Sequence, residues 1–427
     1  MGKTRKVISP WTSERRLTRQ ARVYPAIKSA AGNSLITEDG QTLLDGSAGL
    51  WNANLGHGQP RVIEAVSQAL GHLTYVNNVE GQSDISVRLA DRLLELAGSK
   101  AHVMFQSSGT AAVEAALLLV QRHFQLRGEP SRTGIIALDR SYHGSSLLAS
   151  SVSGIAADQR WIRPSDLGIE HIPTPDGEDA ARESLVVLRS LLSGERASKF
   201  ACFIFEPVMG VAGMIELPEW WVAEAVTLAK SAGLKIIADE VATGLGRTGS
   251  WFASEKVPTD IITVGKGLSA GYVPLAATLV SREILSPHGT GEDVEVRFGS
   301  TMDGCPAACA AGLAVLELIH ERDLVTRARD LGQMMREKLR PALALRIVKE
   351  IRGRGLMIGL PLVNPAHPDA PLPDASIDRI HTALAHAGVV LYPASSTLAI
   401  VPPLTISDQE ASELCSVIIQ VLSRECG

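Results

Sequence analysis

Short unbroken apolar runs recur through the middle of this chain, each followed by a segment whose apolar residues return every three or four positions. The runs are "HVMFQ" (102–106), "TGIIALD" (133–139), "ACFIFEP" (201–207), "LKIIADEV" (234–241) and "DIITVG" (260–265). They have strand length and little polar alternation, which predicts strands buried on both faces. Between them, "TAAVEAALLLVQRHF" (110–124) and "PEWWVAEAVTLAKSAG" (218–233) have helical periodicity. Alternation of this kind from about residue 60 to 300 predicts an α/β fold with a mainly parallel sheet covered by helices. Residues 155–185 are richer in Pro, Gly and Asp and read as a long surface excursion. From 307 the pattern turns helical, passes through short strands in "RIVKEIRGRGLMIGLPLV" (346–363) and ends in a helix at 407–423. "NPAHPDAPLPD" (364–374) reads as an exposed loop. The expected division is a large α/β domain over 56–306 and a smaller α+β lobe built from 1–55 and 307–427.

Composition narrows this picture a little. Of 427 residues, 45% are apolar but only 4% aromatic, so the core is aliphatic. A net charge of −5 argues against a nucleic-acid partner. The first 22 residues are basic (Lys3, Arg5, Lys6, Arg15, Arg16, Arg19, Arg22) and read as a solvated arm. They lack the apolar stretch of a secretory signal, and no run reaches membrane-spanning length. Five sparse cysteines fit reduced thiols in a cytoplasm. Cys305 and Cys309 are one helical turn apart, but no further ligands sit nearby, so no metal site is expected.

Three motifs compete around "TVGKGLSAGYVPLAA" (263–277). "GLGRTG" (244–249) satisfies G-x-G-x-x-G, yet "SWFASEKVP" leaves no room for the helix that a dinucleotide site needs. "GLSAG" (267–271) satisfies G-x-S-x-G, yet Ser269 lies five residues past Val264 and no helix follows, as a nucleophile elbow requires. The third reading uses more of the chain. "SSGT" (107–110) opens a helix where small residues let amides approach an anion. Asp239 and Lys266 end neighbouring strand candidates, and parallel strands deliver their carboxyl ends to one crevice. Anion donors, a carboxylate and an amine together suit pyridoxal phosphate, which has a phosphate, a protonatable ring and an aldehyde.

These stretches also resemble the class III aminotransferases, pyridoxal-phosphate enzymes of the aspartate-aminotransferase fold, over nearly the whole chain. The resemblance rests on "DGSAGLWNANLGHGQP" (45–60), "FQSSGTAAVEAALLLVQ" (105–121), "SYHGSS" (141–146), "FEPVMGVAG" (205–213), "IADEVATGLGRTG" (237–249), "VGKGLSAGYVPLAA" (264–277) and "FGSTMDGCPAACAAGLAVLEL" (298–318), in family order. "GLWNANLGHG" and "YHGSS" look most like the ω-amino-acid and amine transaminases. The resemblance implies a seven-stranded sheet and a reaction in two half-steps from an amine or amino-acid donor to a keto or aldehyde acceptor.

It also implies residue roles. Lys266 would form the Schiff base and carry a proton from substrate Cα. Asp239 would pair with the pyridine nitrogen. Val241 and Tyr142 would take the two ring faces, and Ser108, Gly109 and Thr110 the phosphate. Glu206 would lie near the ring, positioning cofactor or substrate or closing a salt bridge. His143 would support the turn without a catalytic role. Thr301 would reach the phosphate of a neighbouring subunit, which implies a homodimer with shared sites. Trp51 would line the substrate side.

Two departures from the family stand out. Ala242 occupies a position where Gln is frequent. Two arginines that commonly read a substrate carboxylate are replaced by Tyr392 and Ala399, with Arg163 and Arg297 as unplaced alternative cations. Either another cation serves or the substrate lacks a conventionally placed carboxylate, and two enzymes are expected: an aminotransferase or, second, a specialised biosynthetic enzyme of the same fold. The second would use the substrate carbanion for γ-replacement, decarboxylation or racemisation.

Overall fold

The computed structural model describes residues 26–76, 81–155, 168–286 and 298–426. The basic arm, Arg163 and Arg297 lie outside the described residues.

The apolar runs form the centre of a seven-stranded sheet. Its order is His102–Gln106, Ala276–Val280, Ile261–Val264, Lys235–Asp239, Phe200–Phe205, Gly134–Leu138, Ile169–Ile172. Ala276–Val280 runs antiparallel to both neighbours, and the other strands share one direction. Every residue of Gly134–Leu138 and of Phe200–Phe205 is buried, because helices cover both faces. Alternate residues serve the two layers. Ile135, Ala137, Ile204 and Ile237 pack with Val113, Val120 and Phe124 of the helix Gly109–Leu126. Ile136, Leu138, Phe203, Phe205 and Ala238 pack with Leu185 and Leu188 of Glu178–Leu191 and with Trp221 and Ala225 of Glu219–Ser231.

The structure corrects two expectations. The surface excursion at 155–185 contains Ile169–Ile172, an edge strand of the central sheet, and the start of the helix Glu178–Leu191. The strand is half-buried and reads "IEHI", so its interior polar residues hide it. The exposed loop at 364–374 contains the strand His367–Pro371, paired with Val363–Asn364 in an exposed hairpin. Its two prolines sit where an edge strand tolerates a missing donor.

The first described strands and the C-terminal elements meet beside the sheet. Ile27–Ala31, Ser34–Thr37 and Thr42–Asp45 form an antiparallel set that Val389–Val390 joins in parallel. A second four-stranded sheet has the order Arg352–Arg354, Met357–Pro361, Thr397–Ile400, Tyr392–Ala394. The helices Leu324–Leu339, Asp374–His386 and Asp408–Cys426 complete this lobe. One apolar cluster runs through it, from Leu331 and Met335 through Ile358 and Ile400 to Leu414 and Ile418.

Candidate active site

The strands that share a direction bring their carboxyl ends to one edge of the sheet, and the sequence-predicted residues gather there. Gln106 ends its strand, and Ser107 and Ser108 lead into the helix Gly109–Leu126. Ser108 caps that helix, its Oγ accepting from Ala111 N at 3.2 Å. The first-turn amides therefore remain as an anion cradle at the positive end of an 18-residue helix. A Cβ on Gly109 would lie 2.6 Å from Val241 Cγ1, and one on Gly265 would lie 3.2 Å from the same atom. Val241 is thus wedged between the anion turn and the lysine turn. The turn at 142–144 packs on the cradle too, Gly144 lying against the Thr110 side chain.

Asp239 is buried and held from three sides. Its Oδ1 accepts from Val241 N and from Thr263 Oγ1, both at 3.1 Å. Its Oδ2 lies 2.8 Å from His143 Nδ1. Glu206, also buried, accepts from Tyr142 N at 2.9 Å and from Gly210 N at 3.3 Å. Burial pushes the Glu206 carboxyl up to about 7; Asp239 adds to the rise and His143 opposes it. Lys266 opens a short 3₁₀ turn with φ 33°, a left-handed conformation that is strained for a lysine. Burial depresses its ammonium pKa, while Asp239 and Glu206 pull the other way. A buried amine that deprotonates more readily is the one required to attack a carbonyl.

Trp51 forms the facing wall. It is buried, its ring centre lies 5.5 Å from Lys266 Nζ, and its φ of 63° is unusual for a bulky residue. Tyr392 meets it edge to face at 5.5 Å. Tyr392 stands directly opposite Ala399 on the adjacent strand, so the two positions without arginine are cross-strand neighbours. Both belong to an apolar cluster with Trp51, Val208, Val211, Met214, Ala242, Met357 and Ala394. The nearest cation along that row is Arg352, opposite Gly359, which itself pairs with Ala399. It is engaged elsewhere, donating to Gly213 O at 2.7 Å and lying 3.3 Å from Asp176 and 3.2 Å from Glu350.

Ser108, Gly109, Thr110, Tyr142, Glu206, Asp239, Val241 and Lys266 are therefore brought together, with Trp51 and Tyr392 alongside. Thr301 stands apart on an exposed turn, although Asp303 of that turn accepts from the backbone N–H of Ser107. His143 carries more than sequence reasoning gave it, since its ring secures the Asp239 carboxylate. The one signal for it was a histidine next to Tyr142 in "SYHGSS". The two competing motifs fail on geometry. Residues 244–249 form turns and no helix follows, and the Ser269 hydroxyl donates to Val273 O at 2.5 Å.

The donor set fits pyridoxal phosphate: an amide cradle for phosphate, a fixed carboxylate for the ring nitrogen, a buried amine for the aldehyde and a β-branched side chain between them. Known proteins agree with this assignment. The family model described as aminotransferase class-III matches residues 18–422. A diaminobutyrate–2-oxoglutarate transaminase of Halomonas elongata is 31% identical over 414 residues, covering 91% of this chain and 88% of that protein. An omega-aminotransferase of Caulobacter vibrioides is 28% identical over 436 residues, covering 97% and 96%. Among solved structures, an amine transaminase from an uncultivated Pseudomonas species, in its PLP-bound form, superposes with a TM-score of 0.94. It is 32% identical and covers 99% of each chain. With a family match along nearly its whole length and the cofactor's donor set assembled at one sheet edge, this chain belongs to the class III aminotransferases and is a pyridoxal-phosphate-dependent aminotransferase.

Proposed function

We propose that this aminotransferase works on amines whose distal group is uncharged, passing the amino group to a carbonyl acceptor. One observation supports the substrate side of this reading. The two positions from which arginines would read a carboxylate are Tyr392 and Ala399, set in an apolar cluster with Ala242 and Met357. A carboxylate entering there would lose its hydration with no fork of donors to replace it. The names of the Caulobacter and Pseudomonas relatives, an omega-aminotransferase and an amine transaminase, point the same way.

In this reading the amides of Gly109 and Thr110, with the Thr110 hydroxyl, bind the phosphate. Asp239 would hold the ring nitrogen, and its three hydrogen-bonded neighbours keep the carboxylate aimed. Val241 and Tyr142 would take the two ring faces. When bound, pyridoxal phosphate supplies an electron-poor ring that takes up the electron pair released as substrate Cα loses its proton. Lys266 Nζ would move the proton at substrate Cα, and burial suits it to that task by favouring its neutral form. Glu206 ties the Tyr142 turn to Gly210. Trp51 walls off the far side.

The assembly is read as a homodimer in which Thr301 serves the partner's phosphate. The exposed turn bearing Thr301 and Met302, and the exposed apolar side chains Leu50, Ile63, Leu70 and Leu73, support it. A cytoplasmic setting is supported by four buried free cysteines, Cys202, Cys305, Cys309 and Cys415.

The test is spectroscopic. Purified protein given pyridoxal phosphate is expected to hold the cofactor's visible band, to bleach with an uncharged amine donor and to recover with a keto or aldehyde acceptor. Lys266→Ala is expected to abolish both the band's response and turnover. A variant that keeps full turnover would overturn the role of Lys266. Preference for glutamate over uncharged amines would overturn the substrate reading.

A further inference from the structure

Arg247, the arginine of "GLGRTG", is the most deeply buried cation near the site, with 1% of its surface exposed. Among the described residues no carboxylate bonds to it directly. Its Nη1 donates to Leu356 O at 3.1 Å and Pro402 O at 2.5 Å, and its Nη2 donates to Asn54 Oδ1 at 2.6 Å. Burial depresses its pKa to about 9, and the field of Asp45 offsets this only in part. Asp45 is itself buried and occupied, accepting from Ser47 N at 3.0 Å and Gly49 N at 2.8 Å, and lying 3.1 Å from His57 Nε2.

The partners of this guanidinium come from distant parts of the chain. Leu356 and Pro402 belong to the C-terminal lobe. Asn54 follows the strained segment in which Ala48 has φ 45° and Trp51 φ 63°. Asn54 also rests on the lysine turn, since a Cβ on Gly267 would overlap its side-chain amide. A buried cation without an ion pair costs stability, and a well-packed apolar residue often replaces one without loss. What it contributes is positional, because the planar fork fixes three acceptors at once.

We propose that Arg247 and Asn54 form a buried clamp that holds the Lys266 turn at a fixed distance from the Trp51 wall, as positioning residues for amino transfer. The kinetic half of this proposal rests on Lys266 carrying the cofactor; the structural half does not. The clamp explains how two segments with left-handed backbone, 48–51 and 266, stay in register across the site. It also gives "GLGRTG" a purpose unrelated to dinucleotide binding: the turn returns the chain from the Asp239 strand so that Arg247 points back between the lobes.

The test is hydrogen–deuterium exchange on the apoprotein together with kinetics on the holoenzyme. In Arg247→Met, amides of 46–56 and 263–272 are expected to exchange about tenfold faster, while Phe200–Phe205 keeps its protection. On the holoenzyme, kcat is expected to fall about 100-fold, the scale of a 1 Å misplacement. Wild-type exchange in both segments would overturn the clamp. Faster exchange throughout, including Phe200–Phe205, would reduce Arg247 to a general stabiliser and overturn it as well. Faster local exchange with unchanged kcat would overturn the positioning role. If Arg247→Met does not fold, Asn54→Leu and Asn54→Asp decide the matter. Asp keeps the acceptor and is expected to match wild type in exchange, whereas Leu is expected to loosen both segments; equal behaviour of the two overturns the proposal. Loss of the cofactor band in Lys266→Ala tests the cofactor amine separately.

Discussion

Gly109→Ala is the sharpest single perturbation of the assembled site. Gly109 is the first residue of an 18-residue helix, and it does not use positive φ. On helix propensity alone, alanine there would stabilise by at most about 1 kcal/mol. The contact with Val241 reverses that sign. The new Cβ would sit 2.6 Å from Cγ1 and 3.1 Å from Cγ2 of Val241. Carbon atoms pack comfortably at about 3.5–4.0 Å, so one side or the other must move by close to 1 Å. Overpacking of this kind costs about 1–3 kcal/mol. Whichever side yields, cofactor affinity is expected to suffer, because one carries the amides proposed for the phosphate and the other the valine proposed for a ring face. With about 1.4 kcal/mol per tenfold, the dissociation constant of pyridoxal phosphate is expected to rise roughly tenfold to a hundredfold. Titration of apoprotein by visible absorbance reads this directly. Val241→Ala removes both methyls, so the double variant is expected to bind more tightly than the two single effects added together. Unchanged affinity in Gly109→Ala, or strict additivity in the double variant, would refute the wedge and the placement of the phosphate at this turn.

Other expectations follow from the same geometry. Tyr392→Arg restores a cation opposite Ala399 at the cost of the edge contact with Trp51, worth about 0.5–1.5 kcal/mol. The ratio of kcat/KM for glutamate to that for an uncharged amine is expected to rise at least about tenfold, since hydrogen bonds to charged groups contribute about 1.5–3 kcal/mol; an unchanged ratio would sink the carboxylate-free reading. His143→Ala leaves Asp239 Oδ2 without its 2.8 Å neighbour and is expected to lower kcat about tenfold or more with little change in KM, whereas His143→Asn recovers part of the loss. Burial raises the Glu206 carboxyl from the ordinary 4.5 to about 7, so the folded chain binds that proton more tightly than the unfolded one. Its penalty is absent below about pH 4.5, grows as pH rises through that window and is complete above about 7. Apoprotein melting curves of wild type should therefore drop relative to Glu206→Gln between pH 4.5 and 7; parallel curves would contradict the shift.

The sheet was legible because its central strands are buried on both faces and so read as unbroken apolar runs. Phe200–Phe205 and Gly134–Leu138 needed no partner to be recognised. Ile169–Ile172 is an edge strand with one solvated side and "EH" at its centre, and its neighbourhood is rich in turn formers, so local pattern pointed to a loop. The strand Ala276–Val280 was hidden for another reason. Its direction is a property of its two neighbours, and small residues such as Ala276 and Ala277 have weak preferences of their own.

The site divides along a similar line. Lys266, Asp239 and the anion turn lie where strands end, and strand ends on a parallel sheet converge whatever the rest of the chain does. Local sequence was therefore enough to expect them side by side. The groups that hold them are different. His143 reaches Asp239 across 96 positions, and Arg247 reaches Asn54 across 193. Neither type of residue announces its partner. A histidine beside a tyrosine reads as turn support, and an arginine between glycines reads as an exposed turn until its burial is known. The strain at Lys266 and Trp51 points to the same conclusion from the other side. A left-handed lysine and a left-handed tryptophan persist only where the surroundings over-determine them. In this chain those surroundings are long-range polar contacts, which is why the residues at the strand ends can be read from sequence and the contacts that hold them cannot.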